Sequence, residues 1–228
     1  MEINLFLWPM LVPMILPLLY CLKRKKEVTQ EIGTIILVMM LIVFLYWPFM
    51  TSAVFSTYTY IVGKTLLFVV LPIIIFIVVQ RNTSLVHLNV YGIKKEGGKK
   101  SLMWFILFLP LMLVATGFLQ YFNGMDWNAD VLAGSISFFE AFTEEFFFRG
   151  ILFIFLSQKI PIKIAYATSL ASFTLMHPQN LESLFILGTL LQGILTLEIA
   201  RRSQNILGAW LLHGSNRFVQ LALLPFFI

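Results

Sequence analysis

Charged side chains are scarce in this sequence, at 12% of its 228 residues, whereas soluble domains are about one-quarter charged. Hydrophobic residues make up 59% of the chain and include 23 phenylalanines. So little polar surface cannot cover a water-soluble globule, whereas lipid solvates apolar side chains directly. The composition therefore excludes a soluble domain and predicts an integral membrane protein.

Cysteine is nearly absent too, since Cys21 is the only one, and this excludes an intramolecular disulfide framework. We interpret Cys21 as a small apolar residue at a helix end. The net charge of +5 does not indicate nucleic acid, because the basic residues lie in short loops between apolar runs. The partners expected from composition are therefore membrane lipids, with no nucleic acid.

Long apolar runs fill most of the sequence, and a bilayer core of about 30 Å needs roughly 20 apolar residues per helix. They predict eight spans, near residues 4–22, 32–50, 59–80, 102–121, 133–157, 164–177, 183–200 and 206–227. No long linker divides them. We expect an all-α fold, a polytopic bundle of about eight transmembrane helices. Residues 1–228 form one membrane domain, with four N-terminal helices in 1–132 and the remaining helices in 133–228.

Lysine and arginine are absent from the loops after spans two, four and six, whereas the loops after spans one, three, five and seven are basic. Cytoplasmic loops collect these residues. The alternation predicts a multi-pass protein with both termini outside and the basic loops in the cytosol. The first span does not resemble a signal peptide, because its positive cluster follows the apolar run. The compact loops favour a prokaryotic cell membrane.

Six ionisable residues remain deep inside predicted spans: Lys64, Glu140, Glu144, Glu145, Arg149 and Arg217. Each costs at least about 2.5–3.5 kcal/mol at mid-bilayer, so their concentration between 140 and 149 needs a reason. Glu140 and Glu144 share one helical face. Glu145 and Arg149 have the spacing and order favoured for an ion pair. Arginine would thus neutralise Glu145 and leave Glu144 available for chemistry; a structural ion-pair network is the alternative.

Two of the three histidines, His177 and His213, lie in apolar spans, whereas His87 lies in a basic loop and is interpreted as solvated. A lone membrane histidine usually forms a hydrogen bond between helices. Two histidines beside a spare glutamate can handle a proton and a water. Counting rise per residue puts Glu144 and His213 at roughly 12–13 Å depth and His177 at roughly 20 Å. The count therefore favours contact of Glu144 with His213 over His177.

Together these residues resemble a known family. Glu144-Glu145-x-x-x-Arg149 followed by Gly150, Phe173-x-x-x-His177, and a late His213 with a nearby asparagine are similar to the three motifs of the CPBP family. These are the CAAX prenyl proteases and bacteriocin-processing enzymes, also called the Abi family and related to Ras-converting enzyme. The resemblance covers about residues 133–227 and implies an intramembrane endopeptidase.

The resemblance also implies catalytic roles for four residues. Glu144 would activate a water for attack on the scissile amide, and His177 would hold or polarise that water. His213 would stabilise the oxyanion, with Asn216 assisting. The implied substrate is a hydrophobic or lipid-modified peptide or protein.

Other members of the motif would have supporting or uncertain roles. Glu145 and Arg149 would fix the geometry. The family's asparagine usually lies four residues after the third histidine, where this chain has Arg217, so Asn216 at three residues would replace it on the same helical face. Arg217 could pair with Glu140, bind a substrate carboxylate or reach the interface.

Two mechanisms are compatible with these residues, and they differ in whether a metal ion is needed. Glu144, His177 and His213 have the ligand types of a zinc site with an open water position. The same side chains could instead activate water directly, and the lack of His-Glu-x-x-His excludes a zincin-type site. We expect no obligatory cofactor or metal, with zinc as the alternative.

Other functions stay open alongside a protease. A non-catalytic family member could act as a membrane scaffold or bacteriocin-immunity protein. A transporter is a further alternative, although it predicts repeated halves with broken helices, and no repeat is present. Serine and aspartyl intramembrane proteases are disfavoured, because the sequence has neither Gly-x-Ser-Gly nor paired membrane aspartates.

Overall fold

The computed structural model describes residues 5–50, 59–81, 83–123, 128–181 and 183–227. Within these ranges the chain is helical and contains no strand, which confirms the all-α prediction. The α-helices are α1 Ile15–Arg24, α2 Thr29–Met50, α3 Thr59–Thr65, α4 Leu71–Gln80, α5 Gly98–Asn123, α6 Val131–Glu145, α7 Ile162–Leu175, α8 Phe185–Ser203 and α9 Leu207–Phe218.

Several of these helices continue into tighter or wider helical turns. A 3₁₀ segment, Trp8–Met14, precedes α1, and π-helical turns Leu66–Val70 join α3 to α4. The α6 helix continues as π-helix over Phe146–Phe155, and α9 continues over Val219–Leu223. We call an α-helix together with its continuous 3₁₀ or π turns a rod. The described residues form eight rods, and their positions are close to those of the eight predicted spans.

Three segments are long and apolar enough to cross a membrane: Lys26–Pro48, Ile61–Gln80 and Gly98–Phe122. The continuous helix formed by α6 and its π-helical extension is comparably long, but it is less apolar than these three segments because it contains Glu140, Glu144 and Glu145. An integral membrane protein is therefore supported, while the count of eight spans stays a prediction.

The α9 helix packs against α6, α5 and α8. Two glycines permit its close approach. A Cβ on Gly208 would lie 2.2 Å from the Ser101 carbonyl oxygen on α5, and one on Gly214 would lie 2.3 Å from the Phe138 ring on α6. Small residues commonly bring membrane helices together in this way. Leu212, His213 and Asn216 are buried on this closely packed helix.

The loops after the first, third, fifth and seventh rods gather at one end of the bundle. Lys25 Nζ donates to the Lys159 carbonyl at 2.9 Å. Asn205 Nδ2 donates to the Lys94 carbonyl at 2.6 Å. Gln158 Nε2 donates to the Val90 carbonyl at 3.5 Å, which links the third and fifth loops. The basic loops thus share one end, and which compartment it faces stays a prediction.

Three consecutive phenylalanines anchor the π-helical part of the α6 rod, because each points in a different direction. The ring centroids of Phe146 and Tyr91 are 5.3 Å apart, those of Phe147 and Phe68 are 5.6 Å apart, and those of Phe148 and Phe173 are 5.5 Å apart. Tyr91 is itself fixed by donating to the Leu85 carbonyl at 3.0 Å, and burial raises its pKa to about 12. The segment that follows Glu145 is therefore held from three sides.

Candidate active site

Glu144 lies in the last turn of α6, and its side chain is 2% exposed. Its Oε1 accepts a hydrogen bond from Lys64 Nζ at 2.5 Å. Its Oε2 lies 3.9 Å from His177 Nε2 and 3.9 Å from His213 Nε2. This oxygen is buried, and no described residue forms a hydrogen bond with it. Glu144 therefore presents one oxygen to a lysine and the other to both membrane histidines.

The second nitrogen of each ring fixes its tautomer. His177 Nδ1 lies 2.9 Å from the Phe173 carbonyl oxygen, and His213 Nδ1 lies 2.9 Å from Glu145 Oε1. A carbonyl and an ionised carboxylate only accept, so both Nδ1 atoms carry hydrogen. In the neutral rings, Nε2 then has a lone pair directed toward Glu144. Three acceptor atoms converge at separations too long for a direct hydrogen bond, an arrangement suited to a small donor such as water.

His177 reaches this point because its helix ends early. The α7 helix stops at Leu175, and His177 has φ −112° and ψ 61°, outside the helical region. Pro178 follows and disfavours helix at the residue before it. The depth count favoured contact of Glu144 with His213 over His177, whereas the structure places both Nε2 atoms 3.9 Å from Glu144 Oε2.

Glu145 and Arg149 form the ion pair expected from their spacing, with Nε 3.1 Å from Glu145 Oε2 and both side chains 0% exposed. The guanidinium also donates to the Gly193 carbonyl at 3.2 Å and to the Thr196 hydroxyl on α8. It lies 4.2 Å from the centroid of the Phe173 ring on α7. Arg149 thus connects α6 to α7 and α8.

Asn216 is held in the wall of the site by two neighbouring helices. Its Oδ1 accepts from Thr116 Oγ1 on α5 at 2.6 Å, and its Nδ2 donates to Gln192 Oε1 on α8 at 2.8 Å. Arg217, the next residue, donates to Gln220 Oε1 at 2.9 Å. A pairing of Arg217 with Glu140 was considered from the sequence; among the described residues, Glu140 accepts a hydrogen bond from Lys64 instead.

Lys64 is the residue that the sequence interpretation missed. Its Nζ lies 2.6 Å from Glu140 Oε1 and 2.5 Å from Glu144 Oε1. Glu144 is therefore not without a cationic partner, contrary to the sequence interpretation. The sequence did contain an indication of this contact. Lys64 was a membrane cation whose partner had not been assigned, and Glu140 and Glu144 were two carboxylates on one helical face that needed a cation. Their separation along the chain, 76 and 80 residues, conceals the contact.

A cavity of about 260 Å³ opens beside these groups. Its polar lining includes Lys64, Glu140, Glu144, His177, Gln192, His213, Asn216 and Arg217. Further lining comes from the other helices, with Leu7 before α1, Tyr46 on α2 and Met112 on α5. Helices from both halves of the chain therefore enclose the candidate site.

Zinc fits this arrangement poorly. Ligand atoms about 2.1 Å from a tetrahedral zinc lie about 3.4 Å apart, whereas Glu144 Oε2 is 3.9 Å from each Nε2. The Lys64 ammonium on the other oxygen of the same carboxylate also opposes a dication. In the ranges that the structure describes, no group of three or more His, Cys, Asp or Glu side chains is disposed to hold a metal.

Comparison with known proteins identifies one family. Residues 126–219 match the family model described as type II CAAX prenyl endopeptidase Rce1-like. The matched segment contains all six motif residues from Glu144 to Asn216, but not Lys64. No curated protein and no solved structure matches the chain. Residues 126–219 are therefore similar to an Rce1-like domain of the CAAX prenyl proteases, the family that the three motifs predicted.

Proposed function

We propose that the protein is an intramembrane endopeptidase that hydrolyses a peptide bond of a hydrophobic or lipid-modified substrate with a glutamate-activated water. The family match supports a protease. The observation that carries the mechanism is the buried Glu144 Oε2, which faces two histidine nitrogens across 3.9 Å. A base needs such an oxygen within hydrogen-bond reach of the water that it deprotonates.

In the proposed reaction, Glu144 Oε2 accepts a proton from water while the water oxygen attacks the carbonyl carbon of the scissile amide. The carbonyl oxygen becomes an oxyanion. Its collapse re-forms the C=O bond and breaks the C–N bond, while Glu144 delivers its proton to the departing amine nitrogen. His177, whose neutral Nε2 accepts a hydrogen bond, holds the water. These steps require no group beyond the side chains around the cavity.

His213 is the better of the two rings to stabilise the oxyanion. To donate from Nε2 while Nδ1 remains protonated, the ring must be an imidazolium. The Glu145 carboxylate at 2.9 Å stabilises that charge, whereas His177 has only a backbone carbonyl on its Nδ1. Asn216 assists from the same helix, and Arg149 keeps Glu145 in place. A positioned donor at an oxyanion contributes about 3–4 kcal/mol.

We further propose that no metal is obligatory. The support is the spacing of the three would-be ligands and the ammonium that already contacts Glu144. In this proposal Lys64 supplies the local positive charge that a metal ion would otherwise provide.

The test is cleavage of hydrophobic and prenylated peptides by the full chain in detergent. Glu144→Gln should lower kcat by about 10²–10⁴-fold, because the general base is lost. Glu31→Gln is the matched control, since Glu31 pairs with Lys159 at 3.3 Å and does not line the cavity, so this substitution should leave kcat unchanged. Full activity in Glu144→Gln would contradict the assignment of Glu144 as the base, whereas a wild-type chain that cleaves neither class of peptide would favour a non-catalytic scaffold. Loss of wild-type activity on chelation, restored by zinc, would contradict metal independence.

A further inference from the structure

We propose that Lys64 is a positioning residue for Glu144: its ammonium keeps that carboxylate ionised next to Glu140 and turns Oε2 toward His177 and His213. This inference rests on the proposed role of Glu144 as the base. It assigns part of the site to α3, which lies outside the family-matched segment.

The geometry of Lys64 is that of a bridge. Its side chain is 3% exposed, and its Nζ contacts Glu140 Oε1 at 2.6 Å and Glu144 Oε1 at 2.5 Å. The two carboxylates are four residues apart, so they lie one turn apart on the same face of α6. Hydrogen bonds between ionised groups are short and about twice as strong as neutral ones. One ammonium therefore joins the two carboxylates to α3.

Charge explains why this bridge matters. Two carboxylates in one buried site do not both stay ionised unless a cation offsets their repulsion. Arg149 is occupied by Glu145 on another face of the rod, and Arg217 donates to Gln220. Lys64 is the cation in hydrogen-bond contact with Glu144. Without it, Glu140 and Glu144 would share a proton, and a protonated Glu144 cannot act as a base.

Orientation is the second contribution. Lys64 contacts Oε1 of Glu144. The other oxygen, Oε2, is buried and lies 3.9 Å from both Nε2 atoms. A carboxylate held at one oxygen cannot rotate the other away from the histidines. Lys64 thus keeps one oxygen of the carboxylate directed at the histidines and the reacting water.

Other titratable groups enclose the same space, and each would respond to the loss of the ammonium. Tyr46 from α2, His177 after α7, and His213 and Arg217 from α9 line the cavity with the two glutamates. Glu145 and Arg149 lie behind His213. Because Glu140 is the second anion on Lys64, removing its charge should oppose the effect of removing Lys64.

The experiment measures the opposite effects that removing the charges of Lys64 and Glu140 should have on the ionisation of Glu144. The pH dependence of kcat/KM is measured for wild type, Lys64→Met, Glu140→Gln and the double variant, all as full chains in detergent. Methionine keeps an unbranched chain without the charge. The acid limb of Lys64→Met should move up by about 1–3 pH units. Glu140→Gln should move it down, and the double variant should fall between wild type and Lys64→Met. Lys64→Arg should stay near wild type, as should the surface control Lys159→Met.

If Lys64 had only a structural role, its loss would change stability but would not shift the acid limb of the kcat/KM profile. Acid limbs at the same pH in all variants would therefore overturn the proposal. If Lys64→Met does not fold, the double variant compared with Glu140→Gln measures the same loss of the ammonium. An infrared spectrum separates this inference from the proposed function, since it needs no substrate. At neutral pH, Lys64→Met should show a protonated carboxylic acid band that wild type lacks, and Glu140→Gln or Glu144→Gln should alter it. Absence of that band contradicts the charge role even if the chain cleaves nothing.

Discussion

At the scale of single residues, the site depends on charges that are buried and paired. Arg149 and Glu145 are both 0% exposed, and the guanidinium also donates hydrogen bonds to the Gly193 carbonyl and the Thr196 hydroxyl. Such a pair contributes little net stability when intact, but leaving one partner alone strands a buried charge. Here the stranded charge would be the carboxylate that holds His213.

Replacing Arg149 should therefore be costly. Arg149→Met leaves Glu145 buried without its cation and should lower the free energy of unfolding by about 3–5 kcal/mol. Denaturant unfolding of the full chain in detergent measures this loss. The control is Arg201→Met, because Arg201 pairs with Glu198 at 2.8 Å on the exposed end of α8, where the change should stay below about 1 kcal/mol. Equal effects of the two substitutions would contradict a structural role for the buried pair.

At the scale of elements, the position of His213 depends on how closely α9 approaches its neighbours. Gly208 meets a backbone carbonyl of α5, which cannot move aside as a flexible side chain could. The Trp210 indole then donates to the Phe138 carbonyl at 2.7 Å, which fixes α9 against α6. A small displacement of α9 from α5 would therefore change the position of His213 relative to Glu144.

Gly208→Ala tests this contact. A Cβ there would lie 2.2 Å from the Ser101 carbonyl oxygen, so we expect a loss of about 1–3 kcal/mol in unfolding free energy, together with a lower kcat. Gly117→Ala on α5 is the matched control, since nothing lies within 4 Å of its Cβ. That substitution should be neutral or stabilise by up to about 1 kcal/mol, through helix propensity. A wild-type melting curve for Gly208→Ala would show that α9 packs less tightly than described.

The helices themselves could largely be predicted, whereas contacts between residues distant in sequence could not. Apolar periodicity and length located all eight rods, and the i, i+4 rule predicted the Glu145–Arg149 pair. Such rules use only neighbours in sequence. The end of the sixth span at His177-Pro178 follows from the proline and is a local feature. The Lys64–Glu144 contact spans 80 residues and belongs to tertiary structure, which is why the sequence did not indicate it.

At the scale of the whole molecule, the candidate site is shared between the two halves of the chain. Lys64 and Tyr46 come from the N-terminal helices, and the remaining ionisable groups of the cavity come from α6, α9 and the end of α7. The division into four N-terminal helices and a set of motif-bearing helices remains a description of sequence. The basic loops gather at one end of the bundle, which is what the predicted topology requires.

Cysteine labelling tests that topology, and the chain suits it because Cys21 is its only cysteine and is buried. In a Cys21→Ala background, single substitutions Lys95→Cys and Lys99→Cys mark the basic end, and Asn128→Cys and Leu181→Cys mark the opposite end; all four positions are exposed. A membrane-impermeant maleimide should label the first pair only from the cytosolic side and the second pair only from outside. Labelling of both pairs from one side would contradict the span count.

The order of the site residues along the chain has a consequence for biosynthesis. Lys64 is made first, the glutamates follow, and His213 comes from the last α-helix described, α9. A nascent chain that has not reached α9 has no second imidazole facing Glu144 and no Asn216. Every shorter intermediate held at the insertion machinery therefore lacks part of the cluster. The order of synthesis thus delays completion of the proposed centre until α9 has been made.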